Sequence, residues 1–204
     1  MGLKHQAASA RKWRAAIRQV ERHFPAHLPP LLFLTDPKRV TDPAAVVRTL
    51  PPGSGVIYRH FGVPEREAVA RQLREICSQC EIRLLIAGDP ALSESVNADG
   101  VHWPEAKLAD ARKWRGQFAL QTASAHTPAA IRRAEIAGMD AVLFSAVFPS
   151  NSPSASDPVG AQRLREIARR ADVPVYALGG VTAENAEQVA SYAGLAAIEG
   201  LLPS

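Results

Sequence analysis

Polar residues that could handle a small ligand recur between apolar stretches: Thr35 and Asp36, Arg59 and His60, Asp89, His102, Ser124 and His126, Ser145 through Ser152, Gly179 and Gly180, and Glu199. Gly179-Gly180, after Val-Tyr-Ala-Leu, permits close backbone approach to an oxyanion, with the start of a helix behind it. The segment from Phe148 to Gly160 is polar and long for a strand-to-helix connection, so it reads as a lid or as a disordered tip. Plainer readings stand beside these. Asp36 precedes Pro37 and suits a turn, His102 suits a barrel interior that satisfies it, and His126 before Thr127-Pro128 suits a helix cap. Cys77-Ser-Gln-Cys80 ends a helical pattern instead of opening one and has no partner pair at ligand spacing, which argues against both a redox motif and a zinc site.

The elements that must position these residues follow one rhythm. Apolar runs suited to buried parallel strands alternate with helical patterns, the mark of βαβ units. Strands are predicted at Leu31–Thr35, Gly55–Arg59, Arg83–Ala87, Gly100–His102, Phe118–Thr122, Ala141–Ser145, Val175–Leu178 and Ala196–Ile198. Asp42-Pro43 and Thr127-Pro128 begin helices with a capping side chain followed by proline, and Gly138 ends one. A helix near Glu65–Cys80 places Val69, Leu73, Ile76 and Cys77 on one face, and another is expected from Thr182 to Gly194. The fold class is therefore α/β: a single (β/α)8 TIM barrel with an extra N-terminal helix and a truncated or missing eighth helix. In such barrels the site lies at the strand C-terminal ends, where every polar residue named above falls.

Residues 7–23 read as the extra helix, with a partial apolar stripe at Ala15, Ile17, Val20 and Phe24. The division expected is 1–29, basic helix and linker, and 30–204, barrel. Only Gly200-Leu-Leu-Pro-Ser204 follows the last strand, so the N-terminal helix either covers the bare groove or the barrel floor, or stands as a solvated extension. The formal net charge of +4 comes largely from Lys4, Arg11, Lys12, Arg14, Arg18 and Arg22 at this end, not from a basic stripe on the barrel, which argues against a nucleic-acid partner. No apolar run approaches the roughly 18 residues that span a bilayer, and no apolar signal core follows the start. A cytoplasmic protein with no membrane partner is expected.

The order of segments resembles thiamine phosphate synthases and their TenI-like relatives across roughly residues 30–202. Leu-Leu-Phe-Leu-Thr-Asp36 is similar to their first strand, Ala98-Asp-Gly-Val-His102 to the fourth, and Ser124-Ala-His126 to the end of the fifth. Ala137-Gly-Met-Asp140 with Val147-Phe-Pro-Ser150 resembles the sixth strand and its loop, and Val173-Pro-Val-Tyr-Ala-Leu-Gly-Gly180 the seventh. The synthases couple hydroxymethylpyrimidine diphosphate with a thiazole phosphate, releasing diphosphate with magnesium; the TenI-like branch includes thiazole tautomerases. The resemblance implies a small phosphorylated heterocycle as partner and leaves a homodimer open.

Carried over residue by residue, the resemblance is uneven. Where synthases end the second strand Gln-x-Arg-x-Lys, this chain has Tyr58-Arg59-His60-Phe61, keeping Arg59 alone. Asn-Asp becomes Gly88-Asp89, so Asp89 is the candidate magnesium ligand, displaced by one residue. The region of the next acidic ligand reads Pro104-Glu105 and Lys107, and the loop's Thr-x-Thr-Lys reads Ser150-Asn151-Ser152-Pro153. A serine at the phosphate end becomes Glu199, which adds like-charge repulsion. Each lost charged contact is worth roughly 1.5–3 kcal/mol, and about 1.4 kcal/mol is tenfold in rate.

Three readings follow. A divergent synthase of thiamine biosynthesis would use Mg2+, held by Asp89, with Arg59 on diphosphate. A TenI-like tautomerase would need no metal and would use His126 as proton shuttle, because imidazole titrates near neutral pH. A non-catalytic binding or regulatory barrel would keep only the pocket. Catalytic roles are thus expected for His126 and Arg59. Substrate or phosphate contacts are expected from Asp36, His102, Ser124, Ser150, Ser152, Gly179 and Gly180.

Overall fold

The computed structural model describes residues 2–150 and 157–202. Eight strands run parallel: β1 (Leu31–Leu34), β2 (Gly55–Tyr58), β3 (Arg83–Ala87), β4 (Gly100–Trp103), β5 (Leu120–Ala125), β6 (Ala141–Phe144), β7 (Val175–Ala177) and β8 (Gly194–Ala197). Each pairs with the next, and Leu31 opposite Leu195 closes the ring between β1 and β8. The apolar runs are continuous because both faces are covered. Leu32, Leu34, Ile57, Leu85, Leu120 and Leu143 fill the ring, while Phe33, Val56, Leu84, Ile86 and Val142 pack into the outer helix layer.

That layer comprises α1 (Gly2–Glu21), α2 (Pro43–Val47), α3 (Arg66–Gln79), α4 (Pro90–Ser95), α5 (Leu108–Ala111), α6 (Pro128–Ala137) and α7 (Gly160–Ala168). The expected caps form: Asp42 accepts from the Ala45 N–H at 2.9 Å and Thr127 from the Ala130 N–H at 3.1 Å. Gly138 ends α6 in the left-handed region at φ +79°. Helix α3 buries Ala70, Leu73, Ile76 and Cys77, with Val69 only half-buried.

Most strand ends shift by one residue and α1 runs from Gly2 to Glu21 in place of the expected 7–23, while three larger departures bear on the site. The helix expected from Thr182 to Gly194 is replaced by a 3-10 turn, Ala186–Gln188. Asn185 competes with it: its Oδ1 accepts from the Thr182 N–H and its Nδ2 donates to the Gly180 carbonyl, both at 2.8 Å, folding the would-be first turn onto itself. Gly194 ends no helix; it opens β8, where a Cβ would meet the Tyr176 ring at 2.5 Å. Strand β5 begins two residues late because Trp114 through Gln117 form a turn around Gly116 at φ +76°, so Ser124 sits inside the strand.

Helix α1 takes the place of an eighth covering helix. Among the described residues after β8 only the 3-10 turn Glu199–Leu201 follows. Trp13, Ala16, Ile17 and Val20 are buried where α1 meets β8 and the Ala186–Gln188 turn, and Leu31 and Leu50 lie along its other side. The linker behind it closes the barrel floor: Phe24 packs edge-on against Tyr176, whose hydroxyl donates to the Pro29 carbonyl at 2.6 Å. Arg11, Arg14, Arg18 and Arg22 occupy the opposite, exposed face. Burying each large apolar side chain contributes about 1.5–3 kcal/mol. Deleting residues 1–24 is therefore expected to lower the melting temperature by on the order of 10 °C or more, measurable by circular dichroism; an unchanged melting curve would contradict this packing.

Candidate functional site

A cavity of about 460 Å³ opens at the C-terminal ends of the strands. Its walls bring together Arg59 after β2, Ser124 and His126 from β5 and its loop, Ser150 after β6, Gly179 and Gly180 after β7, and Glu199 after β8. Distant segments converge there because consecutive parallel strands deliver their carboxyl ends to one rim. Ser152 lies outside the described residues.

The β1 and β2 ends form one charged network. Fully buried Thr35 accepts from the Arg59 N–H through Oγ1 at 2.9 Å, and its carbonyl accepts from Arg59 Nε at 3.0 Å. Asp36 does not line the cavity. Its Oδ1 accepts from the Lys38 N–H at 2.9 Å, its Oδ2 accepts from Arg39 Nε and Nη2 at 3.1 and 2.8 Å, and Arg59 Nη2 lies 3.7 Å away. Burial would raise the Asp36 pKa, but the hydrogen bonds from Arg39 and Lys38 and the charges of Arg39 and Arg59 outweigh it and hold the carboxyl below its ordinary value. Arg39, absent from the sequence-based expectations, lines the cavity and lies 4.0 Å from Glu199. The repulsion expected from Glu199 is thus countered by a neighbouring guanidinium. His60 stacks on Tyr58 of the outer layer, with ring centroids 4.8 Å apart.

The two histidines have opposite environments. His102 is 2% exposed inside the barrel, with Nδ1 2.9 Å from Thr122 Oγ1 and Nε2 2.9 Å from Ser124 Oγ. Burial, aided by the Arg59 charge, pushes its pKa down to about 3, so it stays neutral and orients Ser124 from below. His126 is half-exposed on the cavity wall. Its Nδ1 lies 2.8 Å from Glu105 Oε2, and Glu105 Oε1 accepts from Arg133 Nη2 at 2.6 Å. Glu105 comes from the loop after β4, in the region where the resemblance places an acidic ligand; its meeting with His126 follows from β4 and β5 being neighbours whose loops share the rim.

Gly179 and Gly180 have φ of +91° and +65°. A Cβ on Gly180 would collide with the Pro149 carbonyl, and one on Gly200 with that of Val181. Among the described residues the N–H groups of Gly179, Gly180 and Gly200 donate to no backbone or side-chain acceptor, and all three residues line the cavity. The helix expected behind the double glycine is missing, so these N–H groups, not a helix dipole, make the rim fit an oxyanion.

Asp89 stands apart. Its Oδ1 caps α4 by accepting from the Leu92 N–H at 3.0 Å, and its Oδ2 pairs with Arg66. A cation there would have to displace that guanidinium, and no cluster of three metal-ligating side chains occurs among the described residues. With both of its carboxylate oxygens engaged in this way, Asp89 as it stands does not fit a magnesium ligand.

Fold and rim define a (β/α)8-barrel protein with an anion-suited pocket at the ends of β7 and β8. The family model described as thiamine monophosphate synthase matches residues 31–201, and the chain belongs to that family of thiamine biosynthesis. It is 35% identical over 170 residues to the thiamine-phosphate synthase of Nitrosococcus oceani, covering 78% of this chain and 77% of that protein. It is 36% identical over 149 residues to that of Azoarcus sp., covering 70% and 72%. The thiamine phosphate pyrophosphorylase structure from Pyrococcus furiosus superposes with a TM-score of 0.72 at 22% identity, over 83% of this chain and 87% of that one, a likeness of fold. No described helix is long and apolar enough to cross a membrane.

His102 carries a consequence for acid stability. Its native pKa near 3 lies below the ordinary 6.5, so the unfolded chain binds a proton the native state refuses. The stability it contributes is present above pH 6.5 and is lost as pH falls toward 3; His60, also depressed by burial, acts in the same sense. Urea midpoints of His102→Gln should fall less steeply across this window than those of the wild type. Equal slopes would refute the assignment.

Proposed function

We propose that the chain acts on a phosphorylated thiazole-type heterocycle of thiamine biosynthesis as an acid/base isomerase. Its phosphate would rest on the N–H groups of Gly179, Gly180 and Gly200, with Arg59 and Arg39 supplying positive charge on the facing wall. The observation that carries the reading is the His126–Glu105–Arg133 chain. In neutral His126, Nδ1–H donates to Glu105, which leaves Nε2 as the base. A proton passes from substrate carbon to Nε2, the imidazolium is stabilised by the carboxylate beside it, and Nε2–H, exchangeable with solvent, returns one proton to another substrate atom. Atoms and charge balance without a second substrate. Arg133 orients Glu105. Ser124, fixed by His102, offers the heterocycle a hydroxyl.

A second reading, synthase coupling, is favoured by the names of the relatives at 35–36% identity. Arg59 and Arg39 would then face the departing diphosphate. The engagement of Asp89 with Arg66 weighs against it, since expulsion of diphosphate relies on a metal and several cations.

Turnover of a thiazole phosphate substrate, followed by proton NMR in D2O, separates the two. His126→Ala is expected to lose roughly 10²–10⁴-fold in kcat while still binding inorganic phosphate, and Glu105→Gln to lose less. Chelators should leave the wild type unaffected. Magnesium-dependent release of diphosphate from hydroxymethylpyrimidine diphosphate, with no proton exchange into the thiazole, would overturn the isomerase reading in favour of the synthase.

A further inference from the structure

Helix α1 lies outside residues 31–201 matched by the family model, yet it reaches the wall of the proposed phosphate site. Trp13 Nε1 donates to the Gly200 carbonyl at 3.2 Å, across 187 positions of sequence. Gly200 lines the mouth cavity on one side of the Glu199–Leu201 turn; on the other side it lines a second, apolar cavity of about 440 Å³ between α1 and the barrel, edged by Trp13, Ile17, Leu31 and Leu50. The turn is thus a thin partition with a gap behind it, not a segment backed by close-packed core.

We propose that Trp13 is a positioning residue for the phosphate site: its indole N–H fixes the turn so that the Gly200 N–H presents to the ligand. This inference rests on the reading of Gly179, Gly180 and Gly200 as phosphate donors. Both peptide planes flanking Gly200 are pinned, one from α1 by Trp13 on the Gly200 carbonyl and the other from within the turn by the Leu202 N–H on the Glu199 carbonyl at 3.0 Å. In a trans peptide the N–H points opposite the carbonyl, so pinning the Glu199 carbonyl aims the Gly200 N–H away from that bond. On the front side the close approach of Gly200 to the Val181 carbonyl keeps the turn in register with the Gly179-Gly180 loop. With the indole bond removed, the turn is free to relax into the gap behind it, and the N–H triplet loses its geometry while the His126 side of the cavity stays in place.

The test is titration calorimetry of the full chain with inorganic phosphate, beside melting curves. Trp13→Phe keeps the ring and removes the donor; it should weaken phosphate binding roughly three- to tenfold, as loss of one neutral hydrogen bond allows, and raise KM without lowering kcat. Tyr192→Phe removes a comparable part-buried bond, hydroxyl to the Ala161 carbonyl, between residues that do not line the cavity, and should bind phosphate like the wild type even where its melting temperature falls as much. Equal phosphate affinity in Trp13→Phe and wild type, or equal weakening in both variants, overturns the positioning role. Absence of phosphate binding in the wild type overturns the site reading itself, and the inference with it. Amide exchange on the unmodified protein gives an independent check: phosphate should slow Gly180 and Gly200 together, and slowing at Gly180 alone would overturn the inference.

Discussion

A parallel strand must be covered on two faces, and a closed ring of eight such strands demands a continuous outer layer. Everything else in this chain depends on how that demand is met with too few helices. Among the described residues the segment after β8 forms a single 3-10 turn and the connection after β7 another, so two of the eight strands there are followed by no α-helix. Helix α1 supplies the missing cover with Trp13, Ala16, Ile17 and Val20, and the proline-rich linker behind it seals the floor through Phe24 and Tyr176. Because the oxyanion-suited rim is built from those same two short connections, the element that completes the core also backs the candidate site.

The rim divides its work by environment. On the β1–β2 side, one carboxylate, Asp36, gathers two guanidiniums and leaves Arg39 and Arg59 on the wall. On the β4–β5 side, two imidazoles of the same chemistry are set to opposite uses. Burial keeps His102 neutral and turns it into a scaffold for Ser124, while His126 stands half-exposed on the cavity wall against the Glu105 carboxylate. On the β7–β8 side, backbone N–H groups stand where side chains would not fit, since a Cβ at Gly180 or Gly200 would strike a carbonyl. The family's synthase chemistry asks this pocket for a bound metal, and its one candidate ligand, Asp89, is committed to Arg66 and the start of α4. The proposed proton transfer, by contrast, calls on no metal.

The alternation of apolar runs determined the barrel, the strand order and the end at which the polar residues gather, because a buried parallel strand cannot tolerate polar interruption and side-chain caps act within three residues of their helix. Arg59, Ser124, His126, Gly179 and Gly180 were legible for that reason. Tertiary structure alone decided the rest. Arg39, Glu105 and Trp13 act through partners brought close by ring closure, over separations of 21 residues for Glu105 and His126 and 187 for Trp13 and Gly200, where local pattern carries no signal. The same cause decided that Asp89 serves Arg66 in place of a ligand and that α1 covers a groove instead of standing in solvent. Asp36 and Asn185 are held by nearer partners, Arg39 and Thr182, whose contacts the pattern of apolar runs does not report. For the long-range pairs, the outcome turns on which distant group reaches a given polar atom first, and only the closed ring sets those distances.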